Sequence, residues 1–186
     1  MPTEQQYFEE AIAIENYMAQ MESNQKTTYS IYEKFELPED PEFINLLKEK
    51  QPNVLVITED WCGDAMMNNA ILRRIAEAAD LEVRCVYRDQ NPELMDQYLT
   101  NGGRSIPKYI ILSKEGEVLG HWGPRAPKIQ EFVMEKRSTL PEKDDPRYAI
   151  NHETMIGEIS DAFTWNTEFW QAVYEDLRKT FVEALR

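Results

Sequence analysis

The stretch "ITEDWCGDAMMNNAILRRIAEAA" (residues 57–79) decides the fold, because a strand pattern passes directly into a helix pattern within it. It overlaps the near-continuous apolar run Asn53–Thr58, which is typical of a strand buried on both faces of a sheet. Apolar residues then recur at helical spacing through Met66, Ala70, Ile71, Ile75 and Ala78. Cys62 stands between the two patterns, so the sequence places a thiol where a strand ends and a helix begins.

A cysteine at the start of a helix is in surroundings that favour its ionised form. The N–H groups of a first helical turn have no partners within the helix, and the helix macrodipole favours negative charge there. The thiolate is the nucleophilic form of cysteine, and this position is one way in which proteins lower a thiol pKa. We therefore expect Cys62 to be a nucleophile, although a lone cysteine is more often a small buried hydrophobe.

The neighbours of Cys62 are Trp61, Gly63 and Asp64. We expect Trp61 to lie at the surface beside the site, and Asp64 to stabilise the start of the helix through its negative charge. If Asp64 instead points towards the thiol, its charge raises the pKa of Cys62 and opposes the effect of the helix.

A second motif, "GGRSIPKYIIL" (residues 102–112), lies downstream of the first. Pro107 directly precedes a strand pattern, and an X–Pro bond in that place is a candidate for the cis form. The residue before a cis proline can offer its backbone N–H and C=O to an extended peptide. Ile106 and Pro107 are therefore candidate substrate-binding residues opposite Cys62.

The remaining periodic segments give the order of elements along the chain. From residue 29 to residue 138 we expect strand, helix, strand, helix, strand, helix, hairpin and helix, beginning with a strand at "YSIYEKFEL" (29–37). A helix that begins at a Thr3 capping box and ends before "NQKTTYS" (24–30) precedes this region. We also expect a short helix with proline at its start at Pro41–Lys50, and a capped helix closed by glycines at "NPELMDQYLTNGG" (91–103). Alternation followed by an antiparallel pair predicts a mixed, mostly parallel sheet that is covered on both faces.

The motifs, taken in order, resemble those of the thioredoxin superfamily. The resemblance rests on "EDWCG", "DQNPEL", "GGRSIPKYIIL" and "KEGEVLGHWG", and is greatest to a bacterial branch whose motif reads Trp-Cys-Gly-Asp-Ala. It implies an α/β, three-layer thioredoxin-like fold with a mixed central sheet. The domain spans 29–140, between an N-terminal helical extension (1–28) and a C-terminal helical extension (141–186). It also implies that Cys62 is the attacking nucleophile, that Pro107 is cis, and that the backbone of Ile106 receives substrate.

Two departures from the thioredoxin pattern agree with each other. Ala65 stands where the resolving cysteine would be, and Val56 stands where a buried acid would assist that cysteine. Without a second thiol to deprotonate, a buried carboxylate would carry only its desolvation cost. Cys85 is not a substitute partner, because its position within a strand predicts a buried core residue.

Composition excludes several classes of protein. The net charge of −14, from 34 acidic and 20 basic residues, disfavours binding to nucleic acid or anionic membranes. No apolar run approaches the roughly 20 residues that span a bilayer, and the acidic N-terminal segment is unlike a secretory signal. Two cysteines do not make a disulfide scaffold, so we expect a cytoplasmic protein, and the two distant histidines predict no metal site.

The C-terminal extension follows a polar, proline-flanked linker and reads as one or two helices. Its aromatic residues are too much apolar surface to leave in water, so we expect them to pack on the main domain or on a second subunit: Phe163, Trp165, Phe169, Trp170 and Phe181.

Two functions remain open at this stage. In the first, Cys62 attacks a protein disulfide or a mixed disulfide, and a low-molecular-weight thiol such as glutathione or bacillithiol releases the product. No other cofactor is expected. In the second, the fold is a non-catalytic module that binds a protein or peptide. A peroxidase is disfavoured, because peroxiredoxins carry threonine three residues before the reactive cysteine and this chain carries Glu59 there.

Overall fold

A computed structural model describes the whole chain, Met1–Arg186, as a mixed five-stranded sheet between two layers of helices. The strands are β1 (Ile12–Ala13), β2 (Asn53–Thr58), β3 (Val83–Tyr87), β4 (Lys108–Leu112) and β5 (Val118–Trp122). Their order across the sheet is β1-β3-β2-β4-β5. Only β2 and β3 are parallel, and the other three neighbouring pairs are antiparallel. The sheet is mixed as expected, but the expectation that it is mostly parallel is wrong.

Nine α-helices and one 3₁₀ turn (Arg88–Gln90) complete the chain. The helices are α1 (Glu4–Glu10), α2 (Ile14–Ala19), α3 (Gln25–Lys34), α4 (Pro41–Lys50), α5 (Gly63–Ala79), α6 (Pro92–Met95), α7 (Pro127–Ser138), α8 (Tyr148–Trp165) and α9 (Thr167–Leu185). The bounds of β2 and α4 are those that the apolar run and the N-terminal proline predict. The helix expected at 91–103 is confined to α6.

Alternating side chains of the central strands separate two cores. Val54 and Val56 of β2 face a large cluster to which α2–α5 and α7–α9 contribute. Leu55 and Ile57 face a smaller cluster that contains residues of α1 and α6. Helices therefore cover both faces of the sheet, and the predicted three-layer α/β fold is confirmed.

The strand expected at residues 29–37 is wrong, because most of this segment belongs to α3. Thr28, Ile31 and Phe35 are buried at helical spacing, so the face that meets the core repeats with the period of a helix. This segment therefore adds no strand to the sheet. The predicted boundary between residues 28 and 29 falls inside this helix.

The N-terminal helix is shorter than the apolar spacing suggests. The Thr3 capping box starts α1 as expected, but the helix ends at Glu10. The chain then pairs with the edge of the sheet, with Ile12 opposite Cys85, before α2 begins. Pairing with a distant strand thus interrupts a segment whose local pattern is helical.

The C-terminal extension packs on the main domain, mainly through α9, which contacts α4, α5, α7 and β5. Phe163, Phe169, Trp170 and Phe181 are buried. Trp165, which we expect to pack on the main domain or on a second subunit, is 62% exposed in this chain, with the Lys34 ammonium 4.4 Å from its ring centroid. No helix combines the length and the apolar character that crossing a membrane demands.

Candidate functional site

Cys62 is the N-cap of α5, at the end of the loop that leaves β2. Its Sγ accepts a hydrogen bond from the Ala65 N–H at 3.5 Å and donates one to the Ile106 carbonyl at 3.5 Å. The structure therefore brings Cys62 and Ile106 together across 44 residues of sequence. The thiol is largely enclosed, with 8% of the residue exposed.

The loop before Cys62 is held by its acidic side chains. Glu59 accepts the Asp89 N–H at 2.9 Å, and Asp60 accepts the Glu22 N–H at 2.8 Å. These bonds tie the loop to the end of β3 on one side and to the segment after α2 on the other. The position of the thiol is therefore set by contacts that precede the helix as well as by the helix itself.

The segment that faces Cys62 contains a cis Ile106–Pro107 bond, and Gly123–Pro124 is also cis. Gly123 has φ +123°, and a Cβ there would overlap the Pro107 carbonyl, so this position requires glycine. The buried Lys108 ammonium donates to the Gly123 carbonyl at 2.9 Å and to Thr100 Oγ1 at 3.0 Å. These contacts fasten the two proline segments to each other.

Asp64 lies in the first turn of α5, where we expect an acid, but its side chain is turned inward. The Arg125 Nε donates to Asp64 Oδ1 at 2.8 Å, and Arg125 Nη1 donates to Gln130 Oε1 at 2.8 Å. The sequence does not predict this role of Arg125, because Arg125 is 61 residues from Asp64 and belongs to no local motif. Burial raises the pKa of Asp64, whereas Arg125 lowers it.

The pKa of the Cys62 thiol is raised to about 11, chiefly by burial and next by the negative charge of Asp64. The N–H groups of Ala65 and Asp64 and the Arg125 guanidinium act in the opposite direction, but their effect is smaller. The expectation of a lowered pKa is therefore wrong. The helix start is present as expected, but enclosure of the thiol outweighs it.

A cavity of about 380 Å³ opens beside Cys62. Trp61, Gly63 and Asp64 border it with Cys62, whereas Ile106 and Pro107 are not among the residues that line it. Its other wall comes from the last third of the chain: Val133 and Arg137 of α7, and Ile156, Ile159, Ser160 and Phe163 of α8. Trp61 is 52% exposed, and the Arg88 guanidinium lies 5.0 Å from its ring centroid.

A family model described as Thioredoxin matches residues 11–140, which is more than half of the chain. The chain belongs to the thioredoxin family. The match includes Cys62, Ile106 and Pro107 but ends before α8 and α9. No curated protein matches the chain significantly.

Two solved structures share this thioredoxin-type fold. One is an HIV epitope-scaffold, with 16% identity and a TM-score of 0.64, over 95% of this chain and 96% of that one. The other is a protein of unknown function from Pseudomonas aeruginosa, with 17% identity and a TM-score of 0.62, over 95% of this chain and 99% of that one. Because 95% of the chain is covered, the likeness includes most of the C-terminal helices that lie beyond the family match.

This thioredoxin-family chain has no dithiol at its site. Ala65 and Val56 are buried where the resolving cysteine and its acid are expected, and Val56 lies opposite Cys85 in the parallel pair. Cys62 and Cys85 are both free, and burial raises the pKa of Cys85 as well. No group of three or more His, Cys, Asp or Glu residues is placed to hold a metal ion.

Proposed function

We propose that this protein exchanges disulfides through the single thiol of Cys62 and holds its partner as a persistent mixed disulfide. The observation that carries the proposal is the position of Sγ, between the Ala65 N–H and the Ile106 carbonyl and beside an open cavity. A donor from the helix can stabilise the thiolate, and the segment at Pro107 offers backbone to a bound substrate. Trp61, Gly63 and Asp64 border the same space.

The exchange begins when Cys62 loses its proton to solvent and its thiolate attacks one sulfur of a disulfide. A new bond forms to Sγ as the original S–S bond breaks, and the other half leaves as a thiolate that takes up a proton. Cys62 is then oxidised and the departing half is reduced. Release requires an external low-molecular-weight thiol to attack the mixed disulfide, since Ala65 supplies no second thiol.

The raised pKa of Cys62 affects both steps. Little thiolate is present near neutral pH, so attack is slow. A thiolate of high pKa is also a poor leaving group, so the mixed disulfide is slow to release Cys62 once it has formed. Both effects favour a protein that retains a partner over one that turns over rapidly.

A non-catalytic binding module is the second candidate, and the enclosure of Cys62 favours it. In that case the cavity and the Ile106–Pro107 backbone bind a partner while the thiol stays protonated. The two candidates differ in whether a covalent bond to Sγ forms at all.

The test is incubation of the reduced protein with a small symmetrical disulfide at pH 9, followed by intact mass measurement and peptide mapping. We expect one adduct, located at Cys62, that persists until excess small thiol is added. Cys62→Ser is expected to remain unmodified, and Cys85→Ser is expected to react like the wild type. If the folded wild type gains no adduct while the unfolded chain does, exchange is excluded and the binding module replaces it.

A further inference from the structure

The cavity beside Cys62 has a cationic character that contrasts with the chain as a whole. Two arginines and one acid, Asp64, line it, although the net charge of the protein is −14. Arg125 is committed to Asp64 and to Gln130. Arg137 forms no ion pair, so its guanidinium is free to bind an anion.

The wall opposite the thiol is apolar and belongs to α8. Ile159 and Phe163 are buried, and Ile156 is 49% exposed at the rim. This helix lies outside the residues that match the thioredoxin family model, so the wall is not part of the matched domain. Without α8, the cavity would lose Ile156, Ile159, Ser160 and Phe163 from its wall.

We propose that α7 and α8 make this cavity the binding site for a small carboxylate-bearing thiol, presented to Cys62 as its disulfide. The proposal rests on the function proposed above and names its substrate class. Arg137 binds the carboxylate, and the wall of Ile156, Ile159 and Phe163 packs on the carbon chain. The sulfur then lies beside Cys62.

The enclosure of the site favours a small substrate over a protein disulfide. The thiol is 8% exposed and the cavity borders it, so a molecule small enough to enter the cavity reaches Sγ more readily than the disulfide of a folded protein does. A volume of about 380 Å³ is near the lower end of ordinary ligand pockets. Binding in the cavity also holds the disulfide next to a slow nucleophile, which raises its effective concentration.

The experiment compares three disulfides of similar size and different charge: dithiodiglycolate (anionic), bis(2-hydroxyethyl) disulfide (neutral) and cystamine (cationic). The rate of adduct formation at Cys62 is followed by mass spectrometry at pH 8, where cystamine is mainly cationic, and at low salt. We expect the anionic disulfide to react about tenfold faster than the neutral one and the cationic one to react slowest, with the order weakened by salt. Equal rates for the three would overturn the proposal and leave exchange at Cys62 intact.

Matched variants separate the cavity from the charge of the whole protein. Arg137→Gln is expected to lower the rate with the anionic disulfide to that with the neutral one. Lys143→Gln removes the same charge from an exposed loop and is expected to keep the anionic preference. If both variants lose the preference for the anionic disulfide, the preference comes from the net charge of the protein and the proposed binding in the cavity is wrong.

A second pair of variants tests α8 itself. Ile156→Asp places a negative charge at the rim and is expected to reverse the order of the anionic and cationic disulfides. Ile150→Asp, at a 69% exposed position of the same helix away from the cavity, is expected to leave the order unchanged. Both side chains are exposed, so neither change threatens the core. An unchanged order in Ile156→Asp would remove α8 from the site.

A non-covalent arm distinguishes failure of this proposal from failure of exchange. Adipate has the chain length of dithiodiglycolate but no sulfur, so it can bind without reacting. Adipate is expected to shift the NMR signals of Arg137 and Ile159 in Cys62→Ser, and Arg137→Gln is expected to abolish the shifts. If no disulfide reacts but adipate binds in this way, the cavity is a carboxylate-binding site and the proposed disulfide exchange at Cys62 is wrong. If adipate leaves the signals unmoved, the cavity proposal is wrong.

Discussion

One cysteine lies within a strand of the sheet and the other follows the neighbouring strand, and their surroundings differ. Cys85 is in the middle of β3, 2% exposed, with Ile12 of β1 beside it and no polar partner for its sulfur. Cys62 is at the end of the β2–α5 loop, and its sulfur has two hydrogen-bond partners and a cavity beside it. Burial raises the pKa of both thiols, so burial alone does not distinguish a core residue from a reactive one.

The two thiols differ in the groups that counteract the effect of burial on the pKa. At Cys62 two backbone N–H groups and the Arg125 guanidinium stabilise the thiolate, although the charge of Asp64 works against them. At Cys85 burial and the charge of Glu15 both raise the pKa. A thiolate at Cys62 is therefore stabilised by groups that are already in position, whereas a thiolate at Cys85 has no such group.

The largest expected difference between the cysteines is in alkylation of the native protein by iodoacetamide. Cys62 is reached through the cavity, whereas Cys85 reacts only when β3 separates from its neighbours. The raised pKa of Cys62 lowers its own rate about a hundredfold at neutral pH, so an opening that costs about 7 kcal/mol or more still makes Cys85 slower than Cys62 by at least about a thousandfold. Peptide mapping after timed quenching gives both rates. Comparable alkylation rates of Cys62 and Cys85 at neutral pH would contradict the prediction that only Cys62 is accessible in the folded protein.

The pH dependence of Cys62 alkylation is the next largest effect. A pKa of about 11 is two units above the ordinary value of 9.0, so at pH 7 the thiolate fraction is about a hundredfold below that of a free thiol. We expect the rate to rise about tenfold per pH unit beyond pH 9 and to level near pH 11. Free cysteine in the same buffers is the control. A plateau below pH 9 would contradict the raised pKa and favour the activated thiol that the helix start alone predicts.

The smallest of the three effects sharpens the role of Asp64. Asp64→Asn removes a negative charge that raises the pKa of Cys62, so alkylation at pH 8 is expected to become several-fold to about tenfold faster. Cys85 in the unfolded protein is expected to react at its wild-type rate. The change also leaves Arg125 without its carboxylate, so circular dichroism and a melting curve accompany the assay. An unchanged alkylation rate in a folded variant would restrict Asp64 to stabilising the helix.

Local patterns predict the central part of the fold and fail where distant contacts decide. The apolar run of β2 and the proline at the start of α4 carry their own signals, and both elements have the expected bounds. The segment 29–37 alternates like a strand but also carries Ile31 and Phe35 at helical spacing, and only packing against α5 selects the helix. Ile12 and Ala13 leave a helical pattern because β3 offers them an edge.

The sequence predicts which residues form the site but not the direction in which the pKa of Cys62 is shifted. Cys62, Ile106 and Pro107 belong to motifs with recognisable order, and the structure brings Cys62 and Ile106 into contact. The Asp64 side chain turns inward because it pairs with Arg125, and the cavity has its second wall because α8 supplies it. Both partners are distant in sequence, so the residues around Cys62 predict neither feature. The raised pKa of Cys62 follows from enclosure by these distant segments.

The position of Trp61 gives the site an optical consequence. Its indole is half-exposed at the rim of the cavity, whereas Trp122 is buried and stacked on Tyr109, and Trp170 is buried with its Nε1–H bonded to the Phe163 carbonyl. Emission from an indole shifts to shorter wavelength when water leaves it, and a nearby disulfide quenches it. Trp165 is the other exposed indole, so in a Trp165→Phe background Trp61 is an intrinsic fluorophore whose spectrum distinguishes an empty cavity, a bound ligand and a disulfide at Cys62, against a constant signal from the buried indoles.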